Sequence, residues 1–358
     1  MNEFGTRYRI GIFGTSHGPC VGAKIEGCPA GSRISEAVIQ AELDRRSPGK
    51  GATSTSRMER DKIEIISGLR KGEATGGPIV GLVRNVDTDS SAYDAFLRVP
   101  RPGHADYPAT VKYGGHHDHR GGGQFSGRMT AGLVIGGAIA RQVLEKKGVS
   151  LLAQTVQIGK VILKKDVPFS IADKVVRASA VGCADRATAE QMKEEIVKAH
   201  EERDSVGGVI KCSVIGLPVG VGEPFFGSIE SLLSAMMFSI PGVKGIEFGS
   251  GFKCASMRGS AHNDHYIIRN GKTVTKTNNA GGILGGLSNG MPVEFRIAFK
   301  PTSSIARPQM SVDIVDRKPV ELEIKGRHDP CIVPRAVPVV ENSTAAVILD
   351  LMLQGGFA

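Results

Sequence analysis

The 358-residue chain has no tryptophan and only five tyrosines, and aromatic residues make up 5% of it. That scarcity argues against the stacking platforms that hold single-stranded nucleic acid. The six cysteines, Cys20, Cys28, Cys183, Cys212, Cys254 and Cys331, include no CxxC pair. A chain this long needs no disulfide framework, so they read as reduced, mostly buried thiols of a cytoplasmic protein. Neither HExxH nor GxxxxGK[ST] occurs, which removes the zincin and phosphate-loop signatures. No stretch reads as a membrane span of about 20 apolar residues. The opening "MNEFGTRYRIGIFG" has no apolar run of signal-peptide length.

What is present is globular in balance, with 41% apolar and 23% charged residues. The 47 glycines follow no collagen-like period. They imply many tight turns and places where backbone approaches a ligand closely. The length allows two or three units or one large domain. A formal charge of +9 admits nucleic acid, an anionic membrane surface or a small polyanion as partner. The arginines are dispersed among glycines and histidines rather than gathered in one stripe, which favours several loops converging on a small anion.

Coarse periodicity places strands at "YRIGIFG" and "AKIEGCPAG", joined as a hairpin, and a helix at "SEAVIQAELDRRS". Two strands follow in "DKIEIISGLRKGEATGGPIVGLVRN". A long small-residue helix then runs to Gly148, its glycine and alanine content predicting close packing. Further strands are expected at "LLAQTVQIGKVIL", "GGVIKCSVIGLPVGVG" and "PVEFRIAFK". Helices are expected at "TAEQMKEEIVKAHEERDS", at "SIESLLSAMMFSIP" ending at Pro241, and from about Val339 to Leu353, with "RGSAHNDHYIIRNGKTVTKTNNAGGILGG" a loop. Without a regular βαβ rhythm, the pattern suggests mixed sheets packed on central helices.

The chemistry-bearing segments are short and glycine-rich. "GIFGTSHGPC" sets His17 between glycines at the mouth of a strand, as a general acid or as a satisfied loop histidine. "LDRRSPGKG" offers Arg45, Arg46 and Lys50, either as forks for an anion or as a solvated helix end. "RPGHAD" puts Arg101, His104 and an orienting Asp106 around one turn. In "YGGHHDHRGGGQFSGR", His116, His117, Asp118 and His119 cannot all face one ion from a single strand or helix, so no metal is expected. The Gly121–Gly123 run before a helix reads as an anion cradle. "FKPTSSI" contributes Lys300, Thr302, Ser303 and Ser304, and "KGRHDPC" contributes Arg327, His328 and Asp329.

Taken in order, "FGTSHG", "LDRRSPG", "RPGHADY", "YGGHHDHRGGGQFSGRMTAGLVIGGAIA", "SIPGVKGIEFGSGF", "MRGSAHND", "NNAGGILGGLSNG", "KPTSSI" and "GRHDPC…RAVPVVE" resemble the chorismate synthase family across nearly the whole chain. The resemblance implies an α+β fold, a β–α–β sandwich with a helical core between antiparallel sheets. It implies one catalytic domain over residues 1–358 and a homotetramer. It also implies a carbon–oxygen lyase of the shikimate pathway to the aromatic amino acids. The reaction would be the 1,4 anti elimination of phosphate from 5-enolpyruvylshikimate 3-phosphate, with reduced FMN and no net redox change. Whether NADPH serves as the source of the flavin's electrons is left open.

By the same resemblance, His17, His104 and Asp329 are catalytic, and Arg46, Arg101, Arg128 and Arg327 bind substrate. Gln124, Phe125, Ser126, Pro241, Gly242, Gly285, Lys300, Pro301, Thr302, Ser303, Ser304 and Arg327 would hold FMN. No nucleic acid, membrane or metal partner is implied. The chain departs from the family pattern at Thr15 (usually Glu), Ala52 (often basic), Gln124–Phe125 (often Arg-Ser) and Met129 (often Glu). The rival readings are a flavin- or nicotinamide-dependent oxidoreductase, a basic nucleic-acid-binding protein and a metal-dependent hydrolase.

Overall fold

The opening hairpin forms where its turn glycines allow it, Arg9–Gly14 pairing antiparallel with Cys20–Glu26. In this computed structural model, which describes residues 2–47, 61–86, 90–91, 93–165, 167–324 and 328–358, that hairpin is the centre of a five-stranded sheet. Its strand order is Glu3–Phe4, Arg9–Gly14, Cys20–Glu26, Ile79–Arg84, Ile63–Ser67. A second five-stranded sheet runs Val243–Phe248, Val293–Phe299, Gly208–Ile215, Ser150–Ile158, Val161–Ile162. Every pairing in both sheets is antiparallel. The mixed sheets suggested by periodicity are therefore corrected. The long connections between strands are crossovers through helices, and they return each strand antiparallel to its neighbour. Period-two burial marks the core face of each sheet. Val21, Ala23 and Ile25 are buried in the first sheet, and Ile210, Cys212 and Val214 in the second.

Between the sheets lie the helices Glu36–Arg46, Thr130–Lys146, Ile229–Phe238 and Val333–Gln354. Thr130–Lys146 touches strands of both sheets and packs along Val333–Gln354. Its glycines make that possible. A Cβ at Gly132 would stand 2.7 Å from the Gly22 carbonyl oxygen, and one at Gly136 would stand 2.5 Å from Ile10. One at Gly137 would fall 2.0 Å from the Asn342 carbonyl oxygen. Glycine here is a packing choice: a sheet lies close on one face of the helix and another helix on the next.

The C-terminal helix begins at Val333, six residues before the expected Val339. Pro334 sits in the first turn, where its missing N–H costs nothing, and Pro338 is accommodated inside the helix. The two prolines hide a 22-residue apolar helix whose length and hydropathy would suit a membrane span. That corrects the reading that no such stretch exists. The apolar window is 94% buried inside the protein, so the helix serves as core. The expected loop after Met257 carries two small hairpins, Tyr266–Arg269 with Lys272–Thr275 and Ile283–Leu284 with Leu287–Ser288. A third hairpin, Gln309–Asp313 with Lys318–Leu322, had no sequence expectation.

Gly137→Ala tests this packing because two effects have opposite signs. Helix propensity alone favours alanine by about 1 kcal/mol. Overpacking against a neighbouring backbone costs roughly 1–3 kcal/mol. Chemical denaturation should show Gly137→Ala less stable than wild type; a stabilised variant would contradict the interhelical contact.

Candidate functional site

Two imidazoles share the glycine run. Gly121, at φ +60°, leaves room for His17: a Cβ there would lie 2.2 Å from the imidazole Cδ2. A Cβ at the adjacent Gly122 would lie 3.3 Å from His104 Cε1. The Gly122 amide is committed to the His119 carbonyl at 3.0 Å, and the helix starts only at Thr130 after a separate turn, Gly127–Met129. One amide of the expected anion cradle is thus spent inside the loop, and the run does not lead directly into a helix. These glycines give the two histidines bare backbone to pack on.

His17 is nearly buried, its Nδ1 2.8 Å from the Ser90 hydroxyl and its ring edge-on to Tyr93. Its turn is pinned by Thr15, whose hydroxyl donates to Asp118 at 3.0 Å. Asp118 also takes three bonds from Arg120, two from the guanidinium and one from the main-chain amide, and these hydrogen bonds hold its carboxyl down to about 2. His119 pairs with Asp94 at 2.8 Å. Among the described residues no cluster of three or more His, Cys, Asp or Glu side chains could hold a metal.

"RPGHAD" folds into a closed unit. The Asp106 carboxylate accepts from the Arg101 amide at 3.0 Å, from the Arg101 guanidinium at 2.8 Å through each of two nitrogens, and from His104 Nδ1 at 2.7 Å. Burial would raise the Asp106 carboxyl, but the bonds from Arg101 and His104 outweigh it and hold it well below the usual carboxylate range. With Nδ1 committed to a carboxylate, Nε2 is the ring nitrogen left to face a ligand. Arg101 is wedged by the Phe96 ring, 4.5 Å from its guanidinium carbon.

Both units border a cavity of about 370 Å³. Arg46, Arg101 and Arg128 line it with His104 and Asp329. Phe125, Ser126, Pro241, Gly242 and the run Lys300–Ser304 line it too. His17 lies directly behind the wall formed by Ser16, Gly121 and Tyr93. Gln124 is exposed off the cavity, and Gly285 lies in the exposed turn of the hairpin Ile283–Leu284 with Leu287–Ser288, so neither reaches it. Arg327, Lys50 and Ala52 lie outside the described residues.

Three residues that organise the cavity had no sequence expectation. Asp61 is 1% exposed and is gripped by Arg46 on one carboxylate oxygen and Arg128 on the other. Burial opposes its charge, but the two guanidinium groups prevail and lower its carboxyl below the ordinary value. Within "MERDK" it reads as one more surface charge. Arg335 holds Asp329 and donates from Nε to the Arg46 carbonyl at 3.1 Å; the flanking prolines concealed that it lies on a helix. Tyr93 lines the cavity from a 3₁₀ turn that periodicity does not reveal. At the far wall, the Lys300 ammonium contacts the Ser303 hydroxyl at 2.8 Å and the Gly103 carbonyl, its pKa lowered by burial and by Lys244. The neighbouring Thr302 hydroxyl is buried with no hydrogen-bond partner among the described residues.

The Asp61 clamp has a stability consequence. Asp61→Ala strands two buried cations, a loss of about 3–5 kcal/mol by chemical denaturation. Because the folded-state pKa is lowered, the contribution is complete above the unfolded value near 3.9. It disappears as pH falls through the lower folded value. Below about pH 4 the stability of wild type should therefore fall more steeply than that of Asp61→Asn; parallel curves would remove Asp61 as the clamp.

Comparison with known proteins identifies the family and the fold. The family model described as chorismate synthase matches residues 8–353. A chorismate synthase of Methanococcoides burtonii is 47% identical over 355 residues, covering 99% of this chain and 96% of the relative. Those of Methanothermobacter thermautotrophicus and Dehalococcoides mccartyi strain BAV1 are each 46% identical over 99% of this chain, covering 95% and 97% of the relative. A solved structure titled "Crystal Structure of Chorismate Synthase" superposes with a TM-score of 0.78 at 27% identity, covering 98% of this chain and 93% of its own. The antiparallel sandwich with its helical core, matched nearly end to end in sequence and in structure, shows that the chain belongs to the chorismate synthase family, enzymes of the lyase class.

Proposed function

We propose that this enzyme, with residues 1–358 as one catalytic domain, converts 5-enolpyruvylshikimate 3-phosphate to chorismate and inorganic phosphate. The ring C–O bond breaks, phosphate leaves with the electron pair, and a ring proton is lost from the opposite face as the new C=C forms. The observation that carries this reading is the convergence of Arg46, Arg101, Arg128 and Lys300 with His104 and Asp329 on one cavity. A substrate with one phosphate and two carboxylates needs that excess of fixed cations. Arg327 belongs to the same set by family resemblance.

Reduced FMN fits the far wall. The unpartnered Thr302 hydroxyl beside Lys300, with Ser303 and Ser304, suits a phosphate, while Phe125, Pro241 and Gly242 give a flat apolar surface. Bound there, reduced FMN would supply transient electron density without net oxidation. The chain does the rest. The guanidinium groups orient the substrate's anionic groups. By family resemblance, His17, behind the Ser16–Gly121 wall, is the proton donor to the departing phosphate. His104, its Nδ1 fixed by Asp106, holds a proton at the flavin's edge, and Asp329, held by Arg335, carries away the ring proton.

A homotetramer is the assembly proposed. The adjacent Phe225 and Phe226, 84% and 93% exposed, supply apolar surface suited to a subunit interface. A cytoplasmic location is supported by six free cysteines.

Anaerobic protein with FMN, dithionite and the shikimate phosphate should release phosphate with no stoichiometric flavin oxidation. Oxidation of one flavin per turnover would point instead to an oxidoreductase. Repeating the assay with NADPH in place of dithionite tests whether the chain reduces its own flavin. His17→Ala and His104→Ala should each lower kcat about 100-fold or more. Asp329→Asn should lower it about 10- to 1,000-fold with FMN binding little changed. A loss under about threefold with binding intact would remove that residue from the mechanism.

A further inference from the structure

Asn85 follows the strand Ile79–Arg84 and has no place in the chemistry described so far. Its side-chain amide nitrogen donates to the Gly18 carbonyl at 2.7 Å and to the Thr15 carbonyl at 3.1 Å. Those carbonyls flank Ser16 and His17, and the Gly18 amide closes the same turn onto the Thr15 carbonyl at 3.1 Å. On its other side, the Asn85 carbonyl oxygen accepts from Arg128 Nε at 3.0 Å. The Asn85 main-chain amide donates to the Pro19 carbonyl at 3.1 Å, so the residue is anchored to this turn at both ends.

Only one orientation of the amide works. Turned over, its NH₂ would meet the Arg128 N–H, and its oxygen would face two carbonyl oxygens. The bridge therefore has a direction: a cavity-lining guanidinium on one side and the His17 turn on the other. Arg128 is itself held by Asp61, so its Nε is a fixed reference point.

We infer that Asn85 is a positioning residue that sets the His17 turn against Arg128. It fixes where the imidazole stands relative to the anion that Arg128 binds. The inference rests on the proposed role of His17 as proton donor to the departing phosphate. A donor must lie within hydrogen-bond reach of the oxygen it protonates, and a displacement of about 1 Å is enough to cost up to ~100-fold in rate. Asn85 touches no reacting atom in this account; it acts through the turn.

Asn85→Asp is the discriminating change, because it keeps the shape and the acceptor for Arg128 but replaces the donor with an oxygen facing two carbonyls. With reduced FMN and 5-enolpyruvylshikimate 3-phosphate, kcat should fall about 10- to 100-fold. KM should stay within about threefold of wild type, since the anion contacts are retained. A merely structural role would instead raise KM and lower the denaturation midpoint together, so both are measured. In a His17→Ala background, Asn85→Asp should add almost nothing, because the group it positions is gone.

If Asn85→Asp keeps kcat within about threefold while His17→Ala loses it, the positioning role is wrong and the role of His17 stands. A full additional loss in the His17→Ala background would also overturn it. If His17→Ala itself keeps its turnover, the reading of His17 fails first, and this inference with it.

Discussion

Much of the site depends on one buried carboxylate. Asp61 stands just before the strand Ile63–Ser67, Arg46 at the end of the helix Glu36–Arg46, and Arg128 in the turn before the helix Thr130–Lys146. Three elements distant in sequence are fixed to one another through its two oxygens. Burial pushes the Arg46 guanidinium down from its ordinary value, against the pull of Asp61. Without a counterion, two cations this deep would cost several kcal/mol each. With exactly half their charge cancelled, the pair retains one net positive charge at the cavity wall. For the anionic substrate proposed above, that is a preorganised site whose assembly cost is met when the chain folds.

Neighbouring residues on the same helix serve a different network. Arg45 is one step from Arg46, about 100° around the helix, and turns to Glu42 and Glu341. Arg141 and Arg177 meet the same two carboxylates, and Glu341 also accepts from the Ala153 amide at 2.9 Å. Four helices and a strand of the second sheet are joined there. The helix end "DRR" thus reaches two buried networks with adjacent side chains, and neither arginine behaves as the solvated helix end that an isolated pair suggests. Substituting either one acts on different contacts, so Arg45 and Arg46 are not interchangeable.

Legibility in the sequence followed the range of the interaction. The opening hairpin and the helix Arg186–Glu201 are local, and they were readable from a Gly-rich turn and from period-two and helical patterns, whereas the helix Phe169–Ala178 and the hairpins after Met257 were not. The 3₁₀ turn at Tyr93 and the hairpin Gln309–Asp313 with Lys318–Leu322 carry no strong period and were not. The prolines at 334 and 338 obeyed the general rule for helix ends but not the outcome, because tertiary burial on all sides sustains the helix around them. Most residues gathered at the cavity could be named from ordered motifs. Asp61 and Asn85 could not, since each is defined by partners 15 to 70 residues away, and neither a lone Asp nor a lone Asn has a local signature. Gly285 shows the converse: a residue belonging to a motif by sequence that lies away from this cavity.

The cavity's location follows from the packing of the core. Between the sheets the helices approach so closely that Gly132, Gly136 and Gly137 are needed to admit their neighbours, leaving no room there for a ligand. The cavity opens where the helices end. Arg46 closes one helix, Ile240–Gly242 follows another, and Arg128 and Asp329–Ile332 precede the two long ones. Each sheet then contributes one loop, Ser16 after Arg9–Gly14 and Lys300–Ser304 after Val293–Phe299. A site built from helix ends and sheet loops draws its polar groups from positions that already need partners, so charge can gather there without disrupting the apolar interior. The tight glycine-lined core and the arginine-rich cavity are two results of the same constraint: this sandwich packs its middle closely and leaves the cavity at its edge.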